Sequence, residues 1–194
     1  LDDMWGVNNA KGPRLPLVLV PTTAGTGSEV TPVAILTVDG EEKRGVSSPV
    51  ILPDIALLDA ELTLGLPASI TSATGVDAMV HAIEAYASKS PNNNPLSRML
   101  AREALRLLCN NIETAVKNGN NLAARQAMLL GSMLAGQAFA NSPVAAVHAL
   151  AYPIGGIFHI PHGLSNALVL THVLRFNLPA AAQAYADIAP DAFP

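Results

Sequence analysis

The amino-acid sequence predicts an α/β segment followed by an all-α helical domain, with the change near residue 65. Short apolar runs rich in Val, Ile and Leu, broken by turn residues, fill the first part. After Gly65, the residues Ala, Leu and Met recur at spacings of three and four, which is the period of a helix. Because 50% of the 194 residues are hydrophobic, a sizeable buried core is available.

The apolar runs of the first part have the length of strands. They predict strands at 15–21, 33–38, 50–52 and 55–58, buried on both faces because each run is continuously apolar. In the second part, helical spacing predicts a bundle with helices over 74–88, 95–118, 121–140 and 163–176. Pro67 and Ser69 are expected to open the first of these helices, and the sequence Asn141-Ser142-Pro143 to end the third.

Charge and cysteine content exclude several classes of protein. With 11 basic and 15 acidic residues, a net charge of −4 and no basic cluster, we expect no nucleic-acid partner. No run approaches the ~18 to 20 apolar residues of a spanning helix, so we expect no membrane association. The single cysteine, Cys109, faces the same way as the leucines of its helix, which predicts a core position. A disulfide framework is therefore excluded, and a cytoplasmic location is expected.

Both ends of the sequence suggest a piece of a longer enzyme. The chain opens on Leu1 rather than Met, and it stops at Pro194 just after a short predicted helix. Apolar faces left by absent halves would favour association, so a homo-oligomer is expected.

The segment 21–29 (PTTAGTGSE) follows a predicted strand and is a candidate phosphate loop. Its small residues let backbone amides approach an anion, and its threonine hydroxyls donate to phosphate. It is neither a G-x-G-x-x-G string nor a Walker A string. From the residues alone, a nucleotide loop and a plain structural loop both remain open.

Asp77 and His81 are four residues apart, so on a helix they share one face and can reach a single ion. Such a pair on its own is usually a surface contact. The surrounding helix, however, is apolar nearly all round, and a carboxylate and an imidazole buried there need a partner. A metal is one such partner.

Two further histidines complete a candidate ligand set. His148 lies in an apolar helical pattern, where a hydrogen-bonded core histidine is the alternative. His162 stands at the start of the predicted helix that follows, where the helix dipole keeps the ring neutral as a ligand must be. One carboxylate and three imidazoles suit Fe(II), Zn(II) or Ni(II).

Four other polar residues carry weaker signals. His159 is a candidate either to support a metal ligand or to contact substrate, and His172 is expected on the outer face of its helix. Glu84 could orient His81 or be a solvated glutamate, and Lys43 reads on its own as a solvated turn charge.

Together these strings resemble the iron-containing (group III) alcohol dehydrogenase family, which shares its fold with dehydroquinate synthase and glycerol dehydrogenase. The segment 21–31 (PTTAGTGSEVT) resembles that family's nucleotide-contacting loop, and 47–59 (SSPVILPDIALLD) its inter-domain stretch. The segments 75–86 (GVDAMVHAIEAY) and 148–163 (HALAYPIGGIFHIPHG) resemble its two metal segments. The resemblance implies an incomplete Rossmann-like dinucleotide-binding domain over 1–65, and an incomplete helical metal-binding domain over 66–194.

The resemblance also implies roles for particular residues. The implied ligands of Fe(II), with Zn or Ni as alternatives, are Asp77, His81, His148 and His162. The residues implied to contact NAD or NADP are Thr22, Thr23, Thr26, Thr31 and Lys43. Tyr152 stands where many members carry a histidine that touches substrate or relays a proton, so the proton path is expected to run through water or His159.

The implied reaction is hydride transfer between NAD(P) and a small-molecule alcohol, aldehyde or ketone. Alternatives on the same fold are a hydroxyacid-oxoacid transhydrogenase and a maleylacetate reductase, the latter less favoured because all four ligand positions are intact. A non-catalytic metal-binding fragment of such an enzyme is an alternative of another class. A plain zinc hydrolase is weakened by the absence of H-E-x-x-H.

Overall fold

The computed structural model describes residues 2–38, 42–143 and 145–193, without the side chains at 37, 42 and 43. The strands within these ranges are β1 (Gly6–Val7), β2 (Val18–Leu19), β3 (Val33–Val38), β4 (Glu42–Ser47) and β5 (Ile55–Ala56). The helices are α1 (Ala68–Ala87), α2 (Pro95–Lys117), α3 (Leu122–Asn141), α4 (Ala146–Phe158) and α5 (His162–Ala192). The predicted fold class, an α/β segment followed by a helical part, is confirmed.

The strands form two small sheets. Strand β4 lies between β1, to which it is parallel, and β3, to which it is antiparallel, while β2 pairs with β5 in parallel. The prediction that the strands are buried on both faces is wrong, because Val18, Ile35 and Ile55 are 51%, 47% and 55% exposed. A short apolar run does not reveal whether one or both faces of its strand are covered.

In the first part, one predicted strand is absent and one observed strand was not predicted. The run 50–52 is not a strand but belongs to a 3₁₀ turn, Pro49–Ile51, which begins where the Ser48 side chain accepts a hydrogen bond from the Val50 N–H. A serine followed by proline is a strong start signal for a helical turn. Strand β4 was not predicted because its charged sequence lacks an apolar pattern, and its pairing with β3 stabilises it instead.

Helix α5 is longer than the sequence predicted. It runs unbroken past residue 176 and contains Pro179 and Pro190, although proline removes a helical hydrogen bond. Tertiary contacts hold its C-terminal part: Tyr86 Oη donates to Asp187 at 3.3 Å, and the side chain of Ile188 is buried in the core. Packing therefore overrides the local signal to stop.

The core lies between α1, α2 and α3, where small residues allow close packing. A Cβ added at Gly131 of α3 would come 2.8 Å from Leu108 Cγ of α2, so glycine is needed at this crossing. Cys109 is half-buried against this core, in line with its predicted role. Helix α2 starts where the Asn94 side chain accepts hydrogen bonds from two backbone amides of its first turn. None of the described helices is both long and apolar enough to span a membrane.

Candidate metal centre

Asp77 and His81 lie one turn apart on α1, in which ten of the 20 residues are buried. Their side chains are almost fully buried, and His81 Nε2 lies 4.0 Å from Asp77 Oδ1. The sequence predicted this shared face, and the structure excludes the alternative of a surface contact because neither residue is at the surface.

His148 on α4 and His162 at the start of α5 reach the same carboxylate. The distance to Asp77 Oδ1 is 3.4 Å from His148 Nε2 and 3.6 Å from His162 Nε2. The candidate ligand atoms of Asp77, His81 and His148 all lie within 4.8 Å of one another. All four candidate ligands therefore meet, although they come from three helices.

These separations match what a small divalent ion requires. Tetrahedral bonds of about 2.0–2.2 Å place neighbouring ligand atoms roughly 3.3–3.6 Å apart, close to the distances around Asp77 Oδ1. The donor set of one carboxylate and three imidazoles suits Fe(II), Zn(II) or Ni(II). The residues present therefore fit such an ion.

A glycine places His162 at the site. A Cβ added at Gly163 would lie 1.9 Å from the backbone oxygen of Ala73, so only glycine allows the start of α5 to touch α1. His162, the preceding residue, is thereby held within reach of Asp77. The orientation of the ring is supported by Tyr152, which stacks on His162 at a centroid distance of 5.6 Å.

The other two imidazoles form a continuous stack. Phe139 of α3 lies 4.8 Å from the His81 ring, and His81 lies 4.6 Å from the His148 ring, both nearly parallel. Stacking on an apolar ring limits the rotation of His81 and excludes water from one side of the centre.

Asn166 is a site residue that the sequence analysis missed. It is fully buried, and its Nδ2 donates to Asp77 Oδ1 at 2.5 Å. The same nitrogen lies 3.3 Å from His148 Nε2 and 3.4 Å from His162 Nε2. Its position four residues after His162 puts it on the same helical face, which was the available signal.

Glu84 was predicted either to orient His81 or to be solvated, and both readings are wrong. It is 7% exposed, and its Oε2 lies 2.7 Å from Nδ1 of His148. The same carboxylate accepts hydrogen bonds from the backbone N–H groups of Ala145 at 3.0 Å and Val147 at 2.8 Å. Being three residues past His81 on α1, it faces α4 rather than the His81 ring.

The cluster shifts the pKa values of its members. Burial lowers the pKa of His81 to about 4, so this imidazole is neutral near pH 7. Burial also disfavours the imidazolium of His148, but the carboxylates of Asp77 and Glu84 outweigh it and raise the pKa of His148 to about 9. Burial likewise opposes ionisation of Asp77, yet the surrounding histidines hold its pKa below the usual value. An ion that binds here must displace a proton from His148.

A cavity of about 240 Å³ opens beside the cluster. It is lined by Thr26, Ser28, Thr31, Val33, Ile35, Asp77, His81, Phe139, Tyr152 and His162. Two of the predicted nucleotide-contacting threonines, Thr26 and Thr31, thus line the same cavity as three of the four candidate ligands.

The remaining predicted residues lie elsewhere. Thr22 and Thr23 precede the cavity along the loop and do not line it. His159 is exposed at the end of α4, with a φ of 54°, and does not line it either. The side chain of Lys43 lies outside the described part of the chain.

Two glycines allow the loop 21–31 to pack closely against α1 and α3. A Cβ at Gly25 would lie 2.7 Å from Thr74 Cβ on α1, and one at Gly27 would lie 2.6 Å from Gly136 Cα on α3. Gly27 also has a φ of 59°, which side chains rarely adopt. These contacts bring Thr26 next to α1, which carries Asp77 and His81, and next to α3, which carries Phe139.

Comparison with known proteins connects both parts of the chain to one family. Residues 71–192 match the model of the Fe-containing alcohol dehydrogenase family, C-terminal, and residues 1–60 match that of iron-containing alcohol dehydrogenase. The chain is 45% identical over 186 residues to long-chain-alcohol dehydrogenase 1 of Geobacillus thermodenitrificans, covering 96% of this chain and 46% of that protein. The chain therefore spans about half the length of the curated relatives it matches.

Solved structures also match nearly the whole length of this chain. The crystal structure of a 1,3-propanediol oxidoreductase matches with a TM-score of 0.92 and 43% identity, covering 98% of this chain and 50% of the other. That of sulfoacetaldehyde reductase from Bifidobacterium kashiwanohense in complex with NAD⁺ matches with a TM-score of 0.80 and 33% identity, covering 93% of this chain and 53% of the other. The arrangement of the helices around the cluster is thus that of these structures.

Proposed function

This chain belongs to the iron-containing alcohol dehydrogenase family, and from that premise we propose that it forms the metal centre of an enzyme that transfers a hydride between NAD(P) and an alcohol, aldehyde or ketone. The observation that supports the proposal is the convergence of three imidazole Nε2 atoms within 3.4–4.0 Å of Asp77 Oδ1. The proposed ion is Fe(II), with Zn(II) or Ni(II) as alternatives, held by Asp77, His81, His148 and His162.

A divalent ion held by Asp77, His81, His148 and His162 would supply Lewis-acid chemistry at the oxygen of the substrate. The side chains that would bind the ion are prepared for it by their surroundings. Asp77 supplies the negative charge, and His81 is already neutral because burial lowers its pKa to about 4. Asn166 holds the Asp77 carboxylate by donating from Nδ2, which keeps Oδ1 directed at the cluster.

Tyr152 is the proposed substrate-contacting residue. It lines the cavity beside His162, and burial raises the pKa of its hydroxyl, with Asp77 and Glu84 adding to the shift. The hydroxyl therefore keeps its proton near neutral pH and can donate a hydrogen bond to a substrate oxygen. The predicted role of His159 is less well supported, because that side chain does not line the cavity.

The part of the cavity lined by residues 26–35 is the proposed place of the nicotinamide dinucleotide. The hydroxyls of Thr26, Ser28 and Thr31 offer hydrogen-bond donors there, and Val33 and Ile35 offer an apolar surface. Such a wall binds a flat, partly apolar ring and keeps water from the path of a hydride. Further contacts of the dinucleotide with Thr22, Thr23 and Lys43 remain predictions.

Metal content tests the centre. After anaerobic incubation with Fe(II) and removal of excess ion, we expect about one ion per chain in the wild type and none in His148→Ala. His172→Ala is the matched control, since His172 is exposed on α5 and does not line the cavity. A His148→Ala variant that retains the ion at wild-type affinity contradicts the ligand assignment.

Isotope transfer tests the reaction. With an alcohol deuterated at its carbinol carbon, we expect deuterium to appear in NADH or NADPH. A hydroxyacid-oxoacid transhydrogenase would instead pass deuterium to an added oxoacid without releasing reduced nucleotide. An ion bound with no transfer to either acceptor would favour the non-catalytic metal-binding fragment.

A further inference from the structure

We propose that Glu84 is a positioning residue that fixes His148 in the tautomer able to bind a metal through Nε2, and thereby sets the metal affinity of the centre. The inference rests on the proposed metal centre, and it adds a residue outside the four candidate ligands. Glu84 sits behind His148, on the side of the ring that faces away from Asp77: its Oε2 is 2.7 Å from Nδ1, whereas Asp77 Oδ1 is 3.4 Å from Nε2.

The direction of the hydrogen bond follows from the chemistry of the two groups. A carboxylate has no proton to donate, so the short contact to Oε2 requires a hydrogen on Nδ1 of His148. With the hydrogen on Nδ1, the lone pair of the neutral ring is on Nε2, the nitrogen that faces Asp77. Carboxylates that bind the distal nitrogen of a metal-ligating histidine act in this way in other metal sites.

The carboxylate itself is held in place by α4. Ala145 N–H donates to Oε2 and Val147 N–H donates to Oε1, so both oxygens are fixed by backbone that leads directly into His148. Helix α4 has no side-chain cap from its own N-cap residue, Ala145. Glu84 therefore caps the helix from α1 and orients the ring that this helix carries.

Glu84→Gln tests the carboxylate because it removes the charge and one acceptor but keeps the size of the side chain. The two oxygens of Glu84 accept from three donors: Nδ1 of His148 and the backbone N–H groups of Ala145 and Val147. The amide of glutamine would replace one of these oxygens with an NH₂ group, which donates. If the NH₂ group faces His148, Nδ1 must accept and the hydrogen moves to Nε2, which blocks ligation. If the NH₂ group faces Val147, it opposes the backbone N–H there, so the oxygen that still accepts from Nδ1 of His148 is held less firmly and orients the ring less well.

Co(II) is the probe, because its visible spectrum reports the ligand geometry and chelator competition gives its dissociation constant. We expect about one Co(II) per wild-type chain and a dissociation constant roughly 10- to 100-fold weaker in Glu84→Gln. Asn94→Ala is the control variant: it removes the cap of α2, does not line the cavity beside the cluster, and is expected to change Co(II) affinity less than twofold. Equal affinity in Glu84→Gln and the wild type, or a loss no larger than in Asn94→Ala, overturns the proposal.

A measurement on the wild type keeps the proposal testable if Glu84→Gln does not fold. In the Zn(II)-loaded chain with ¹⁵N-labelled histidine, we expect His148 to show a protonated Nδ1 and a metal-bound Nε2. Binding through Nδ1 overturns the role of Glu84 but leaves the metal centre in place. A wild-type chain that takes up neither Co(II) nor Zn(II) overturns the metal centre itself, and the inference with it.

Discussion

Replacing Gly163 with alanine tests whether the contact between α5 and α1 builds the centre. The added Cβ would lie 1.9 Å from the backbone oxygen of Ala73 and 2.5 Å from its carbonyl carbon. Real Cβ atoms essentially never come closer than 3.0 Å to another atom, so the start of α5 must move away from α1 by about 1 Å. Because the opposing atoms belong to the backbone of a buried helix, the neighbour cannot yield by rotating a side chain.

The magnitude follows from two opposing effects. Alanine is favoured over glycine inside a helix by about 1 kcal/mol. Overpacking of a close contact costs about 1–3 kcal/mol and sometimes more, and a clash with backbone belongs at the upper end. We therefore expect a net loss of roughly 2 kcal/mol or more in the free energy of unfolding. His162 moves together with Gly163, and a ligand displaced by about 1 Å is far outside the ~0.2 Å tolerance of a metal site. Zn(II) affinity is expected to fall about tenfold or more.

Urea unfolding of the metal-free chain gives the stability, and chelator competition gives the Zn(II) dissociation constant. Gly65→Ala is the matched control, since nothing lies within 4 Å of a Cβ added there, and it is expected to change stability by no more than about 0.5 kcal/mol. The reasoning is refuted if Gly163→Ala unfolds at the same urea concentration as the wild type. Normal stability would mean that α5 does not approach α1 as closely as Gly163 implies.

Three further predictions concern the rest of the fold. Leu105 is fully buried in the core, so Leu105→Ala is expected to cost about 2–5 kcal/mol in urea unfolding, and a loss below 1 kcal/mol would contradict its central position. Asn94→Ala removes the acceptor for two amides of α2 and is expected to cost about 1 kcal/mol, whereas Asn94→Ser should retain most of that stability. Hydrogen bonds from the Arg14 guanidinium and the Leu17 amide lower the pKa of Asp54 to about 2. A carboxyl with a lowered folded pKa stabilises the protein above its unfolded pKa near 4, and that stability is lost as pH falls through about 2. The difference in urea midpoint between wild type and Asp54→Asn should therefore be largest at pH 6 and shrink towards pH 2. A difference that does not change with pH would contradict this role of Asp54.

Much of the helical part could be predicted from the sequence because its signals are local. The spacing of apolar residues gave the helices, and the four-residue spacing put Asp77 and His81 on one face of α1. The strings around both histidine segments also carried the family resemblance, which the matches over residues 1–60 and 71–192 bear out. The assignment of domains at residue 65 and the roles of the individual site residues stay predictions.

The failures share a physical cause. Prolines at 179 and 190 are local stop signals, yet α5 continues because its buried face packs against α1 and α2. Strand β4 has no apolar pattern, yet pairing with β3 supplies its backbone hydrogen bonds. In both places tertiary contacts outweigh local propensity, which is worth at most a few kcal/mol.

The sequence by itself determined which residue types were available for the centre: one carboxylate and the imidazoles, on apolar helices that could bury them. Only the tertiary structure decided how they meet. Asn166 bonds to Asp77 across 89 residues of chain, and Glu84 to His148 across 64 residues. Periodicity describes which face of one helix is buried, but it holds no information on which residue of another helix lies opposite. That partner is selected by close packing, here by the contact of Gly163 with α1, and no pattern within a single helix encodes it.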